Sequence, residues 1–227
     1  ATGGTLTLVN QGTGAIDGAA ANQGALVFAG NYNTDAALGA TLLNSITVND
    51  GVTLTLDQNA DATTFTANGT TNQSAGTLTA TTLAVGAGDT FTQSGTGAIN
   101  AATTIATGGT LTLVNQGTGA IDGAAAGQGA LVFAGTYDTD AALGATSLDS
   151  ITVNTGATLT LDQAASATSL IIGGVLNKSS ANGITATTTI NDGGSMNVAT
   201  NFTHTGNLTV GQGVSGSLDV AGNTVNV

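Results

Sequence analysis

Apolar and polar residues alternate one by one over short stretches of this chain. In the segment Ser45–Gln58, Ile46 and Val48 share one side of an extended strand and Thr47 points to the other side. This period of two, in stretches rich in Thr, Val, Ile and Leu, predicts short β-strands with one buried and one solvent-facing side. Steps such as Asn49–Gly51 interrupt the stretches and predict tight turns between the strands.

The same pattern also has a longer period. It is marked by a residue, apolar in most cases, that is followed by Gly three positions later. Successive glycines of this kind are 18 to 21 residues apart, except for one gap of 47 residues. The pairs are Val48/Gly51, Thr66/Gly69, Val85/Gly88, Ala106/Gly109, Val153/Gly156, Ile171/Gly174, Ile190/Gly193 and Val210/Gly213. We therefore predict an all-β parallel β-solenoid (β-helix) with about 19 residues per coil and about 12 coils. Val48, Phe65 and Val85 are predicted to lie in its core.

Residues 1–63 recur as residues 106–168 with nine differences. The differences skip every second residue: Asn31 and Asn33 become Thr136 and Asp138 around an unchanged Tyr. Such skipping is expected if alternate residues face solvent and core. We predict one solenoid over residues 1–227, in which block 1–105 is duplicated as 106–210 and residues 211–227 form a final partial coil.

The 47-residue gap holds a segment that is present in both copies. Ala25–Phe28 and Ala130–Phe133 are predicted to be strands. Asp35–Ala40 and Asp140–Ala145 are predicted to be a loop or a short helical turn. We expect each segment to contain one or two further coils and a protruding loop.

Composition narrows the class of protein. The chain has no Pro, Cys or Trp, one Lys, no Arg, one His and 13 Asp, for a net charge of −12. Such an acidic chain is not expected to bind nucleic acid or anionic membranes. No stretch approaches the ~18 apolar residues of a membrane span. No signal peptide is visible and the chain starts in mid-pattern, so we expect a processed piece of a longer protein.

Three sequence elements occur in each copy and carry a family resemblance. They are Gly14–Ile16, Ala25–Gly30 and Ser45–Thr55, with copies at Gly119–Ile121, Ala130–Gly135 and Ser150–Thr160. These elements resemble the passenger repeats of bacterial autotransporters, in particular the large surface antigens of that secretion class, including those of rickettsiae. The resemblance implies a right-handed parallel β-helix displayed outside an outer membrane and serving adhesion, shielding or surface-layer formation.

Paired carboxylates are the best candidates for chemistry, since glycoside hydrolases use two of them. The closest pairs are Asp57/Asp61 and Asp138/Asp140. Each pair loses one Asp in the other copy, and the near absence of basic residues argues against a lyase. We therefore predict no catalytic residue, no enzyme activity and no cofactor. Asp138 and Asp140, on one side of an extended segment, are a weak candidate site for Ca²⁺.

Other motifs are predicted to be structural. His204 has ordinary strand residues beside it in sequence and is expected to face solvent or to lie in a loop. Gly211–Gly216 matches the letters of a dinucleotide fingerprint, but a strand and not a helix is expected after it. Thr-x-Thr pairs could form an ice-binding array, but their spacing predicts that they lie on different faces. The pairs are Thr5/Thr7, Thr53/Thr55, Thr64/Thr66, Thr77/Thr79, Thr90/Thr92 and Thr110/Thr112.

These observations favour an extracellular, non-catalytic rod of a surface-displayed adhesin or autotransporter passenger. The alternative is a self-assembling filament or surface-layer subunit, because residues near both ends, such as Leu6 and Val225, are apolar and uncapped. A polysaccharide-degrading β-helix is a third hypothesis. Expected partners are further coils or copies of the chain, end to end, and a host or neighbouring cell surface. Nucleic acid binding and membrane insertion are not expected.

Overall fold

The computed structural model describes residues 3–211 and 215–227. Parallel strands, with no helix among these residues, stack into a β-solenoid of about 11 coils with roughly 20 residues per coil. The predicted fold class is confirmed. The strands are β1 (Thr5–Leu8), β2 (Ala25–Phe28), β3 (Tyr32–Asn33), β4 (Leu38–Val48), β5 (Thr53–Leu56), β6 (Ala60–Ala67), β7 (Thr70–Gln73), β8 (Leu78–Val85), β9 (Thr90–Gln93), β10 (Ile99–Ile105), β11 (Thr110–Leu113), β12 (Ile121–Gly123), β13 (Ala130–Phe133), β14 (Thr136–Asp138), β15 (Leu143–Val153), β16 (Thr158–Leu161), β17 (Ala165–Ile172), β18 (Val175–Lys178), β19 (Ile184–Ile190), β20 (Ser195–Val198), β21 (Phe202–Thr205), β22 (Leu208–Val210), β23 (Ser217–Asp219) and β24 (Val225–Asn226).

Each coil contributes to three faces, which the chain visits in turn. Face 1 consists of β1, β2, the second halves of β4, β6, β8 and β10, then β12, the first parts of β15, β17 and β19, and finally β21 and β24. Face 2 consists of β3, β5, β7, β9, β11, β13, the second halves of β15, β17 and β19, and β22. Face 3 begins with the first parts of β4, β6, β8 and β10 and continues with β14, β16, β18, β20 and β23.

The duplicated block does not return to the face on which it starts. The sequence Thr-Leu-Thr-Leu forms β1 on face 1, where it pairs with β2, and forms β11 on face 2, where it pairs with both β9 and β13. Residues 45–48 likewise lie on face 1 and their copy, residues 150–153, on face 2. Between β1 and β11 the chain completes five coils and advances by one further face. Identical segments of the two copies therefore point in different directions around the rod.

The core is a column of inward side chains taken from alternate strand positions. Val48, Phe65 and Val85 are fully buried, as predicted. Tyr32 is buried between the exposed Asn31 and Asn33, so the two positions that vary around this tyrosine face outward. Val52, which becomes Ala157 in the second copy, is a varying position that is buried. The alternation in sequence predicts burial because the narrow interior must be filled by the side chains at every second strand position.

The prediction of a loop or helical turn at Asp35–Ala40 and Asp140–Ala145 is wrong in part. Leu38 and Leu143 are buried and begin β4 and β15. Gly39 and Gly144 follow them with φ of 74° and 69°, a left-handed conformation that lets the chain turn the corner without a loop. Exposed turns of the segment lie at residues 19–22 and 124–127, and residues 10–15 of the first copy are exposed as well.

Candidate functional site

Asp57 and Asp162 hold neighbouring coils together. The Thr139 hydroxyl is buried and donates to Asp162 Oδ1 at 2.7 Å, and the Asp162 backbone N–H donates back to Thr139 Oγ1 at 3.1 Å. Thr34 and Asp57 form the same reciprocal pair in the first copy, at 2.9 and 3.0 Å. These two carboxylates thus satisfy a buried hydroxyl, which is a structural use. Asp61, the predicted partner of Asp57, lies at a half-exposed position of β6.

Asp138 and Asp140 lie on either side of the buried Thr139 and are both exposed, in agreement with their predicted placement on one side of the segment. The Asp138 backbone N–H donates to Gln116 Oε1 at 2.7 Å. Burial, assisted by the charge of Asp140, raises the pKa of Tyr137 to about 12. No three His or Asp side chains among the described residues lie together as a metal site. The calcium site stays a prediction.

His204 is not solvent-facing, and that prediction is wrong. The side chain points inward from β21 and is 1% exposed. Its Nε2 lies 2.8 Å from Thr188 Oγ1 in the hydrogen-bonded pair, while Nδ1 is buried without a hydrogen-bond partner at normal geometry. Burial lowers the pKa of the imidazole, and the Gly206 backbone offsets this only in part.

Lys178, the only lysine, is also fully buried. Its Nζ donates to the carbonyl oxygen of Leu161 at 3.2 Å and to the carbonyl and hydroxyl oxygens of Ser180 at 2.7 and 2.8 Å. Gln73, which occupies the same position 105 residues earlier, is buried too, and its Nε2 donates to two corner carbonyls, those of Gly76 and Ala98. Both side chains therefore supply donors to carbonyl groups at a corner of the coil.

The two basic side chains are both buried in the C-terminal part of the rod, and Phe202 connects their surroundings. Lys178 Nζ is 5.7 Å from the centroid of the Phe202 ring, and His204 is the next inward residue after Phe202 on β21. Because the chain has no other Lys, Arg or His, no basic side chain reaches its surface. The exposed charge of this protein is therefore carried by aspartate alone.

The prediction that the Thr-x-Thr pairs lie on different faces is wrong for five of the six pairs. Thr5/Thr7 and Thr64/Thr66 share face 1, and Thr53/Thr55, Thr90/Thr92 and Thr110/Thr112 share face 2. Thr53, Thr70, Thr90 and Thr110 follow one another in register on face 2. Thr55, Asn72, Thr92 and Thr112 form the parallel column. The spacing argument failed because two coils, and not one, separate Thr53 from Thr90. The outward positions of face 2 carry no charged residue from β5 to β22.

The glycine motif at Gly211–Gly216 includes residues 212–214, which lie outside the described residues. The strand predicted after it is present as β23. The alternating pattern indicates the burial of Lys178 and His204, since these residues occupy inward positions of β18 and β21. Sequence reasoning missed them because basic residues are rarely buried.

Comparison of the chain with protein-family models, with curated proteins and with solved structures gives no match in any of the three. The resemblance to autotransporter passengers therefore extends only to the fold, a stack of parallel coils.

Proposed function

We propose that this chain is a structural, non-catalytic rod segment of a bacterial surface protein, of the kind that autotransporter passengers form outside the cell. The observation that carries the proposal is the rotation of the duplicated block by one face. A solenoid that recognises a regular ligand needs equivalent side chains in line along one face. Here the duplication moves Thr7 and its copy Thr112 to different faces, so the second copy lengthens the rod without repeating the surface of the first copy on the same face.

The pattern of differences between the copies agrees with this role. Tyr32 and Tyr137 keep the same inward position and the same tilted contact with Phe28 and Phe133, at 5.1 Å between ring centroids in both copies. The outward neighbours of the tyrosines vary. A rod must preserve its interior and can change its surface, whereas an active site or a specific binding site constrains particular surface residues.

The test of a spacer function is to lengthen the rod. About 11 coils, stacked at about 4.8 Å, give a rod about 50 Å long. Inserting one more copy of residues 106–210 should add about 25 Å in negative-stain images and leave the rod folded. A globular or collapsed product would contradict the proposal. Turnover of any glycan in a polysaccharide panel would instead favour the polysaccharide-degrading hypothesis.

A filament or surface-layer subunit is the second candidate, favoured by apolar side chains exposed near both ends. Leu6 and Val9 are 46% and 62% exposed, and Val210 and Val227 are 40% and 76% exposed. The surface, whose only charged side chains are aspartates, opposes association, so acid or Ca²⁺ should promote end-to-end contact. Light scattering from pH 7 to pH 4, with and without Ca²⁺, tests this. A monomer under all conditions would exclude the filament.

A further inference from the structure

His204 lies in a setting that makes its protonation costly. The ring is enclosed, Thr188 Oγ1 is the only hydrogen-bond partner of Nε2, and Nδ1 has no hydrogen-bond partner at normal geometry. An imidazolium needs two acceptors and a counter-charge. The Gly206 backbone favours the charged ring only enough to offset burial in part, and without a counter-charge the buried ion is disfavoured. The neutral ring therefore belongs to the closed state of this part of the rod.

The surrounding elements supply no negative charge. The strands packed on β21 are β19 and β24, and neither contains a titratable residue. β20 and β22 contain none either. Lys178, on β18, reaches the same region through Phe202 and is itself basic. Asp192 lies in an exposed turn and Asp219 points outward from β23, so neither lies in the core beside the imidazole.

We propose that His204 is an acid-sensitive latch, whose protonation opens β21 and β24 while the coils before β19 stay closed. β21 makes short pairings, with Ile184 and Thr185 of β19 on one side and with two residues of β24 on the other. On the same face β8 pairs with β6 and with β10 over four positions. β17 pairs with β19 over two positions there but over four more on face 2, in one continuous strand. β21 is a separate four-residue strand and β24 pairs with it over two positions, so these last strands have fewer ladder contacts to resist opening. This proposal goes beyond a rod function and does not depend on it.

The sign of the effect follows from the direction of the shift. Burial lowers the pKa of His204 in the closed state below its ordinary value of 6.5, so the opened state binds protons more tightly. Closing is fully stabilised above pH 6.5 and loses stability as the pH falls below it. At pH 5 the opening constant should increase by up to about 30-fold, the limit for a closed state that binds no proton.

Amide hydrogen exchange of the full chain tests the latch. Between pH 7 and pH 5, after correction for intrinsic exchange rates, amides of β21 and β24 should lose protection by about tenfold or more, whereas β8 and β10 should not change. His204→Gln keeps an uncharged polar group that can contact Thr188 and should abolish the pH dependence. The imidazole signal, unambiguous because the chain has one His, should titrate in step with opening.

Three results would overturn the proposal. Unchanged protection of β21 at pH 5 would show that the buried ring does not control opening. An equal loss of protection in wild type and His204→Gln would assign the effect to other groups. A uniform loss along the rod, including β8 and β10, would show global acid unfolding in place of a local latch.

Discussion

The duplication provides a controlled test of the facing assignment, because Leu6 and Leu111 stand in the same tetrapeptide. Leu111 is fully buried on face 2 between Phe91 of β9 and Leu131 of β13. Leu6 occupies the same place in β1 but is 46% exposed. A charge introduced at the two sites meets the same local sequence and a different environment. Any difference in stability must then come from packing.

Leu111→Asp should lower the free energy of unfolding by about 4 kcal/mol or more. Losing the burial of one leucine side chain costs about 1.5–3 kcal/mol. Enclosing a carboxyl group without a partner adds about 1–3 kcal/mol, even if the group becomes protonated. Leu6→Asp should cost less than about 1 kcal/mol, because the new carboxylate can reach water. Thr112→Asp, on the half-exposed side of β11, should be similarly mild.

Urea unfolding followed by far-ultraviolet circular dichroism measures all three variants. Tyr fluorescence gives a second probe, because the described tyrosines, Tyr32 and Tyr137, lie in the coils next to the mutated ones. Comparable losses for Leu111→Asp and Leu6→Asp would refute the stacking of β11 between β9 and β13. A loss for Thr112→Asp as large as that for Leu111→Asp would refute the inward assignment of Leu111.

Three further predictions concern Lys178, the corner glycines and the rotation of the block. Burial lowers the pKa of Lys178 from 10.5 to about 8, so the folded chain binds this proton more weakly than the unfolded chain does. The free energy of unfolding should therefore rise between about pH 8 and pH 10, by up to about 3 kcal/mol. Lys178→Gln should remove this rise. Gly144→Ala should lower the thermal stability of the fold far more than Gly156→Ala, as thermal unfolding can show. Both glycines have positive φ, but only at Gly144 would the new Cβ meet a backbone oxygen. Thr92→Cys with Thr112→Cys should be joined by a short bifunctional thiol reagent, detected by mass spectrometry, whereas Thr7→Cys with Thr112→Cys should not.

The coil length and the core could be predicted because they depend on local patterns. Each inward residue packs on the equivalent residue of the next coil, so a period of two and a return of about 20 residues are both written in the sequence. Val48, Phe65 and Val85 were assigned to the core on this basis and are buried. The unchanged Tyr32 and Tyr137 mark inward positions in the same way.

The arrangement of faces could not be predicted, because it depends on how many corners the long gap contains. Corners made by Gly39 and Gly144 leave no loop in the sequence, and the segment was expected to contain a loop there. A miscount of one corner moves every later strand to another face. The wrong conclusion about Thr53 and Thr90 has another cause, because two coils separate these residues on face 2 and their spacing was compared with one coil.

The buried basic residues were missed for a different reason. The hydropathy of Lys178 and His204 predicts that their side chains face solvent. Their positions in the alternating pattern predict that the side chains face the core. Position prevails at Lys178 because its three donors reach Leu161 and Ser180, so the ammonium group is satisfied without water. At His204 one ring nitrogen has no hydrogen-bond partner at normal geometry, and the acid-sensitive latch is therefore proposed at His204 and not at Lys178.

The rotation of the block explains how a near-exact duplication can be tolerated in a stacked fold. A new block needs only to present inward residues that pack on the neighbouring coil. β11 packs on β9 in this way, and β1 packs on β2 in the same way. The inward Leu111 rests on Phe91 from an unrelated strand, although its counterpart Leu6 pairs with Leu26. The apolar inward row of β9 thus accepts a segment that lies on another face in the first copy. A rod built this way can be lengthened by duplication without alignment of the copies, and its surface is then free to diverge.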